Sequence, residues 1–373
     1  MKRFEGLNAF PAAYDAVFRR GSHECFFVSL PWFRLFEQLV LERNERAVIY
    51  GVEEVTDGDD PLAALVLRET REPHGLWSAT KLESLANYYT PLYAVPGADG
   101  DRANAIVGTL CDALRIDSVR WDVLRLWPLD PHAAVFASFV SALRSAGMWV
   151  QTHFCFENWY LEVAGRSYTE YLQELPTVLR KNIPYSTRRL ERTHRVTLEI
   201  VTEVGGLDQG LAHYECVYRS SWRPFESHPA FIRGLARLAA EQGALRLGLL
   251  YLDGEPAAVQ IWVVHQGVAS IYKICYDERF AKLSIGTVLT AKVMEHVIDV
   301  DRVRIVDYLS GDDAYKRNWM SHRRERWGIM AFNPRRVGGL LLAGRHIGGR
   351  AVKRAWEAVQ SWKGIKRDVE SPT

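Results

Sequence analysis

The same succession of secondary-structure elements can be read twice along this sequence, and few folds accommodate such a repeat. In the first half, "PWFRLFEQLV" reads as a helix, and "AVIYGVEEV" and "PLAALVLRE" read as strands joined through "TDGDD". After the aromatic stretch "NYYTPLYAV" come a helix "ANAIVGTLCDALR", a strand "SVRWDVLRL", a helix "HAAVFASFVSALRSAG" and a strand "WVQTHFCFENWYLEV". In the second half, "LAHYECVYRSSW" and "AFIRGLARLAAEQ" have helical spacing, and "LRLGLLYLDGEPAAVQIWVV" is a hairpin turning on Asp253-Gly254, a type I′ signal. Then follow a strand "VASIYKICY", a loop and helix, a strand "VRIVDYLSG", a short helix "DAYKRNWMSH" and a last strand "RWGIMAFN". This alternation predicts an α/β protein with two domains of like plan, 1–165 and 166–335, followed by a basic helical tail, 336–373. The segment "LQELPTVLRKNIPYSTRRLERTHR" between the halves reads as a helical arm with Arg188, Arg192 and Arg195 on one face.

Charge narrows the function classes. The chain is near neutral, with a formal net charge of +2, which gives no reason to expect nucleic acid as the partner. From Arg323 to Arg367 there are twelve Lys/Arg against two Glu, so the rest of the chain is net acidic. In the tail, Val352, Trp356, Val359 and Trp362 fall on one helical stripe beside Lys353, Arg354 and Lys363. That pattern fits either packing on the parent domain or peripheral contact with a membrane. Cys25, Cys111, Cys155, Cys216 and Cys275 are odd in number and lack a CxxC pair, as expected of thiols in a reducing compartment. No apolar leader and no window near the ~20 apolar residues of a membrane span is present, so the expected location is cytoplasmic. HExxH, paired His at metal spacing and GxSxG are all absent, which argues against metalloenzymes and hydrolases and predicts no metal.

The junction "YKICYDERFAKLSIGTVLTAKVMEH", residues 272–296, passes from strand through a polar loop into a helix. A helix start carries unpaired N–H groups and partial positive charge, so it favours an anion. Here that site would be Lys282, Ser284, Ile285, Gly286 and Thr287, with Gly286 allowing close backbone approach. The alternative is a plain helix start capped by Ser284.

With these residues the element order resembles a tandem GNAT acyltransferase, and the second half is similar to the CelD-like subfamily, distantly similar to Fem-type peptidyltransferases. The stretches that carry the resemblance are "LRKNIPYSTRRLER" (179–192), "SSW" (220–222), "LDGEPAAVQIWVV" (252–264), "IYKICYDERFAKLSIGTVL" (271–289) and "VDYLSGDDAYKRNWMSHRRERWGIMAFN" (306–333). The resemblance implies two GNAT-like domains, each a mixed, mostly antiparallel sheet flanked by helices. The first would be degenerate and shape the acceptor side, and the second would be catalytic. It also implies acyl transfer from acyl-CoA, acetyl-CoA foremost, to an amine of a small polar or sugar-like acceptor in polysaccharide or cell-envelope metabolism. The family places the donor pyrophosphate on the loop before the helix. Here that loop, "RFAKLSIGT", departs from the usual R/Q-x-x-G-x-G/A by having one Gly and a bulky Ile285. An acyl carrier protein and aminoacyl-tRNA therefore stay open as donors, as does a non-catalytic binding module.

Such a site needs a base for the amine and N–H donors for the developing oxyanion. Lys273, Tyr276 and Asp277 end the third strand, and alternation puts Lys273 and Asp277 on one face. Lys273 is expected either to act in the site or to pair with Asp277. In "DYLSGDDAYK", Asp307 and Asp313 are base candidates at a strand end, and Asp312 is expected to cap the next helix. A Tyr near this point in the family faces the leaving thiolate, which implies Tyr315 as general acid, with Lys316 beside the cofactor. Trp222 and Gln260, with Tyr276 and Asp277, are expected on the acceptor side.

Overall fold

Asp253 and Gly254 both adopt positive φ, 54° and 90°, as a type I′ turn requires, and they close the hairpin at the centre of the second half. The computed structural model describes residues 1–346 apart from 9, 22–24, 55–59, 75–76 and 117–119. The apolar stripe expected at 352–362 lies outside the described residues, although 337–346 are helical.

The first half contains strands β1 (Lys2–Glu5), β2 (Glu45–Glu53), β3 (Pro61–His74), β4 (Trp77–Ser84), β5 (Val123–Leu129) and β6 (Trp149–Glu162). Its helices are α1 (Asp15–Gly21), α2 (Leu30–Val40), α3 (Ala103–Ile116) and α4 (Ala134–Ser145). The arm is α5 (Tyr168–Glu174) and α6 (Thr177–Thr193). The second half continues with β7 (Val196–Val201), α7 (Leu207–Arg219), α8 (Pro229–Glu241), β8 (Leu245–Leu252), β9 (Glu255–His265) and β10 (Val268–Tyr276). It ends with α9 (Ile285–Asp299), β11 (Ile305–Ser310) and β12 (His322–Phe332). "DAYKRNWMSH" departs from expectation: Lys316–Asn318 form only one turn of 3₁₀ helix, and β12 already begins at His322.

The twelve strands of the described residues form one sheet in the order β1-β2-β3-β4-β5-β12-β6-β11-β10-β9-β8-β7. Among the described residues, parallel pairing occurs only at β4–β5 and β10–β11. The last strands of the two halves change places. β12 pairs with β5, β6 pairs with β11, and the two pair with each other. The two expected sheets are thus joined into one, and neither half completes its ladder alone.

The core follows from the pattern of side chains. β2, β3, β8 and β9 carry near-continuous apolar runs that are buried on both faces. One cluster fills the first half and continues beneath α7 and α8, and a second packs α9 on the sheet. In the first half, the place where β4 and β5 might part is sealed. The Trp127 N–H donates to Ser84 Oγ at 2.9 Å, the Tyr93 N–H donates to the Pro128 carbonyl at 2.7 Å, and the Tyr93 hydroxyl donates to the Val66 carbonyl at 2.7 Å. Among the described residues, no helix is long and apolar enough to cross a membrane, and no cluster of His, Cys, Asp or Glu could hold a metal ion.

Candidate active site

β10 and β11 run side by side for three residue pairs, from Val268–Ile305 to Ser270–Asp307, and then diverge. The register shifts on both strands here, between Ile271 and Lys273 on β10 and between Asp307 and Ser310 on β11. Leu309 takes φ 56°, a conformation that a branched side chain resists. Local bonds hold it there. Its N–H donates to Asp307 Oδ1 at 2.6 Å, and its carbonyl accepts from Asn158 Nδ2 at 2.8 Å. The result is a gap in the sheet.

Ile274 on β10, Tyr308 on β11 and Tyr315 just beyond it line cavities on both sides of that gap. The Ile274 carbonyl accepts from Arg223 Nε at 2.7 Å, so this residue's backbone faces the opening. In a strand the N–H of a residue points to the same edge as its carbonyl, which makes the Ile274 N–H a donor into the gap.

On the α9 side the cavity is about 730 Å³. The first helical bond of α9 runs from the Val288 N–H to the Ser284 carbonyl, leaving the amides of Ile285, Gly286 and Thr287 without helical acceptors. Gly286 and Thr287 line this cavity. Free amides at the start of a 15-residue helix, opening onto a cavity, suit a phosphate and so fit the pyrophosphate of acyl-CoA. Lys282 is exposed one turn earlier.

Two neighbours behave differently from expectation. Ser284 sits in the left-handed region at φ 57° and makes no side-chain cap, so capping does not explain it. Ile285 is fully buried in the core beneath α9, so only its amide is available to a ligand. Gly286 matters for packing as well, because a Cβ there would lie 3.0 Å from the Tyr276 ring.

Trp222, Gln260 and Tyr276 line this same α9-side cavity, together with Gly286 and Thr287. The Trp222 and Tyr276 rings are 4.4 Å apart. Gln260 is buried. Its Nε2 donates to Thr290 Oγ1 at 2.7 Å and its Oε1 accepts from Trp262 Nε1 at 2.8 Å, so its groups are spoken for.

Across the gap, a cavity of about 290 Å³ is bounded by Tyr89, Arg223, Lys273, Asp313, Tyr315 and Lys316. Burial pushes the Tyr315 hydroxyl up to about 12, with the Asp313 charge adding to the effect, so it stays protonated at neutral pH. Lys316 is nearly buried. It donates to the Ser310 carbonyl at 2.5 Å and pairs with Asp313 at 3.2 Å, so it braces the turn while lining this cavity rather than the one at the start of α9. Asp313 remains largely exposed to this cavity.

Lys273 pairs with Glu226, Nζ to Oε2 at 2.7 Å, and the Tyr89 hydroxyl donates to the other oxygen. Burial lowers the Lys273 ammonium from its ordinary value, and the Glu226 bond only partly opposes this. For Glu226, burial acts upward, but the bonds from Lys273 and Tyr89 outweigh it and hold the carboxyl low. The expected Lys273–Asp277 pair does not form. Asp277 instead accepts from the Arg279 N–H at 2.9 Å and from its guanidinium at 3.0 Å.

Two further corrections concern "DYLSGDD". Asp312 caps no helix, because none starts there, and it accepts from Trp159 Nε1 at 2.6 Å. Asp307 is fully engaged. Oδ1 accepts from Asn158 Nδ2 at 2.5 Å and from the Leu309 N–H, while Oδ2 accepts from Arg324. Asp307 therefore shapes the gap, and Asp313 is a carboxylate of this turn that stays exposed in the cavity wall. Glu226, Asn158 and Arg324 escaped the sequence reading because nothing local marks them; their partners are 47, 149 and 17 residues away.

Comparison with known proteins bears on the domain and the fold. Residues 178–317 match the acetyltransferase (GNAT) domain family. No curated protein sequence matches the chain. Among solved structures, FemX shares 10% identity, with 89% of this chain and 97% of that chain covered, at a TM-score of 0.56. L-PGS from Bacillus licheniformis shares 11% identity, with 92% and 98% covered, at a TM-score of 0.52. At such identities these structures share the fold alone. Residues 178–317, in the second half, thus match the acetyltransferase (GNAT) domain, and the chain as a whole shares its fold with FemX and L-PGS.

Proposed function

We propose that the protein transfers an acyl group, acetyl foremost, from acyl-CoA to an amine of a small polar or sugar-like acceptor. The observation that carries this reading is the gap between β10 and β11, where one cavity bearing free helix amides meets another bearing an exposed carboxylate. The donor pyrophosphate rests on the amides of Gly286 and Thr287, and its thioester reaches the gap. The amine enters from the Asp313 side and gives up its proton to that carboxylate, directly or through water. Its nitrogen attacks the thioester carbon, and the Ile274 N–H donates to the oxyanion that forms. The carbon–sulfur bond then breaks, the Tyr315 hydroxyl protonates the leaving thiolate, and the second proton of the attacking nitrogen passes to solvent, from which Tyr315 regains its own. Lys273, held by Glu226, supplies positive charge to the acceptor cavity and takes no proton.

The setting in polysaccharide or cell-envelope metabolism is supported by the resemblance to the CelD-like subfamily. Free cysteines throughout the described chain support a cytoplasmic reaction. The chemistry is tested by following free thiol release from acetyl-CoA and longer acyl-CoA with a panel of primary amines. Amine-dependent thiol release matched by amide formation is the expected result.

A second reading, an aminoacyl-tRNA donor as in Fem-type enzymes, is favoured by one feature. Lys181, Tyr185, Arg188, Arg192 and Arg195 form an exposed stripe along α6 and the residues just after it, and Val178 and Asn182 at the start of α6 line the donor cavity. Transfer from aminoacyl-tRNA with no acyl-CoA turnover would put that reading first. A non-catalytic binding module would show neither activity.

A further inference from the structure

Beyond the gap, on the acceptor side, a second cavity of about 290 Å³ lies along the seam between the halves. It adjoins the acceptor cavity, and Pro91 and Leu309 stand in the walls of both. At its wall is Arg326 on the exchanged strand β12, with a side chain only 3% exposed. A guanidinium has five N–H donors. Here NH1 meets Asp130 at 3.1 Å, while Nε is buried with no partner. Leaving a buried cation this poorly bonded is costly, and Asp130, about one-third exposed, is a weak counter-charge.

The other charges around the cavity are already balanced or peripheral. Asp307 is tied to Arg324 and Asn158, and Arg304 reaches only the Gln266 carbonyl at 3.3 Å. Ser270 is buried in the same wall. A carboxylate or phosphate in this cavity would complement the guanidinium charge of Arg326, which Asp130 meets at one nitrogen.

We infer that the acceptor carries an anionic group, a carboxylate or a phosphate, which seats on Arg326 in this cavity while its amine reaches the gap. The inference rests on the acyl-transfer reading, because it takes the two cavities as parts of one acceptor groove. Acceptors lacking an anion then bind loosely and present the amine without a fixed direction.

The test is calorimetric titration of the whole protein with inorganic phosphate and, separately, with glutarate, at constant ionic strength. Saturable binding of either anion is expected, and whichever binds identifies the group. Arg326→Met should weaken that binding roughly tenfold or more, while acetyl-CoA still raises its unfolding midpoint. Asp130→Asn removes the competing carboxylate from a partly exposed position and should tighten anion binding. It also serves as the test if Arg326→Met does not fold. No saturable binding, binding unchanged in Arg326→Met, or no tightening in Asp130→Asn would overturn the inference. A failure of the acyl-transfer reading would be seen separately, as acetyl-CoA that neither binds nor turns over while the anion still binds.

Discussion

Nζ of Lys273 lies 2.7 Å from Oε2 of Glu226, a residue that a loop between two helices brings against the middle of β10. The pair is mostly buried, with side-chain exposures of 14% and 10%. It joins the second half to the first, because Tyr89 donates to the same carboxylate and lies 5.1 Å beneath the ammonium. Replacing Lys273 with Met strands the Glu226 charge and should cost about 3 kcal/mol of stability. Chemical denaturation of Lys273→Met and of the double variant with Glu226→Gln checks this. The double variant should recover part of the loss, and equal losses would contradict the pairing.

Glu226 and Asp277 predict the acid limb of stability. Both carboxyls are held below their ordinary values: burial opposes this in each case, and bonds from Lys273 and Tyr89, or from Arg279, prevail. At low pH the unfolded chain therefore binds more protons than the folded one. The stability these groups supply is complete above the ordinary carboxylate range and falls away as pH drops through their folded values. Unfolding measured between pH 3 and 6 should show a shallower acid limb in Glu226→Gln than in the native sequence. An unchanged limb would contradict the assignment.

How much of this was legible beforehand depends on the range of the interaction. The Asp253-Gly254 turn, β10 and α9 are set by neighbours in sequence, and each was found where alternation, turn chemistry and helical spacing put it. The exchange of β6 and β12 is invisible to such patterns, since either strand reads the same whichever neighbour it joins. Lys273 and Asp277 share a face by alternation, but the partner was decided by a loop with no periodicity at all. Asp307 looked available because its three donors come from β6, β12 and its own kinked strand.

Tyr315 is the proposed proton donor, and its hydroxyl is pushed up to about 12. Tyr315→Phe should lower kcat by roughly 10²–10³ and leave the dissociation constant for the donor unchanged. Because the native hydroxyl stays protonated well above neutrality, its ionisation should not limit the rate below about pH 10. A loss seen in donor affinity alone would assign Tyr315 to binding.

Ser84 seals the first half. Its Oγ is the acceptor for the Trp127 N–H, and the residue is fully buried. Ser84→Ala should destabilise the protein by about 1–2 kcal/mol by leaving that N–H unpaired, with no change in acetyl-CoA affinity. A change in acetyl-CoA affinity would mean that the first half shares in donor binding.

In the proposed reaction the amides at the start of α9 hold the donor phosphates, and the direct measurement is thermal unfolding with and without excess acetyl-CoA. At a hundred times its dissociation constant the ligand should stabilise the native chain by ~2.7 kcal/mol, a rise of several degrees at most. Thr287→Glu is the matched variant, since a carboxylate in the first helical turn suits the helix yet repels phosphate. A rise in the native chain that disappears in a folded Thr287→Glu is the predicted result. No rise in the native chain, or an equal rise in both, would contradict it.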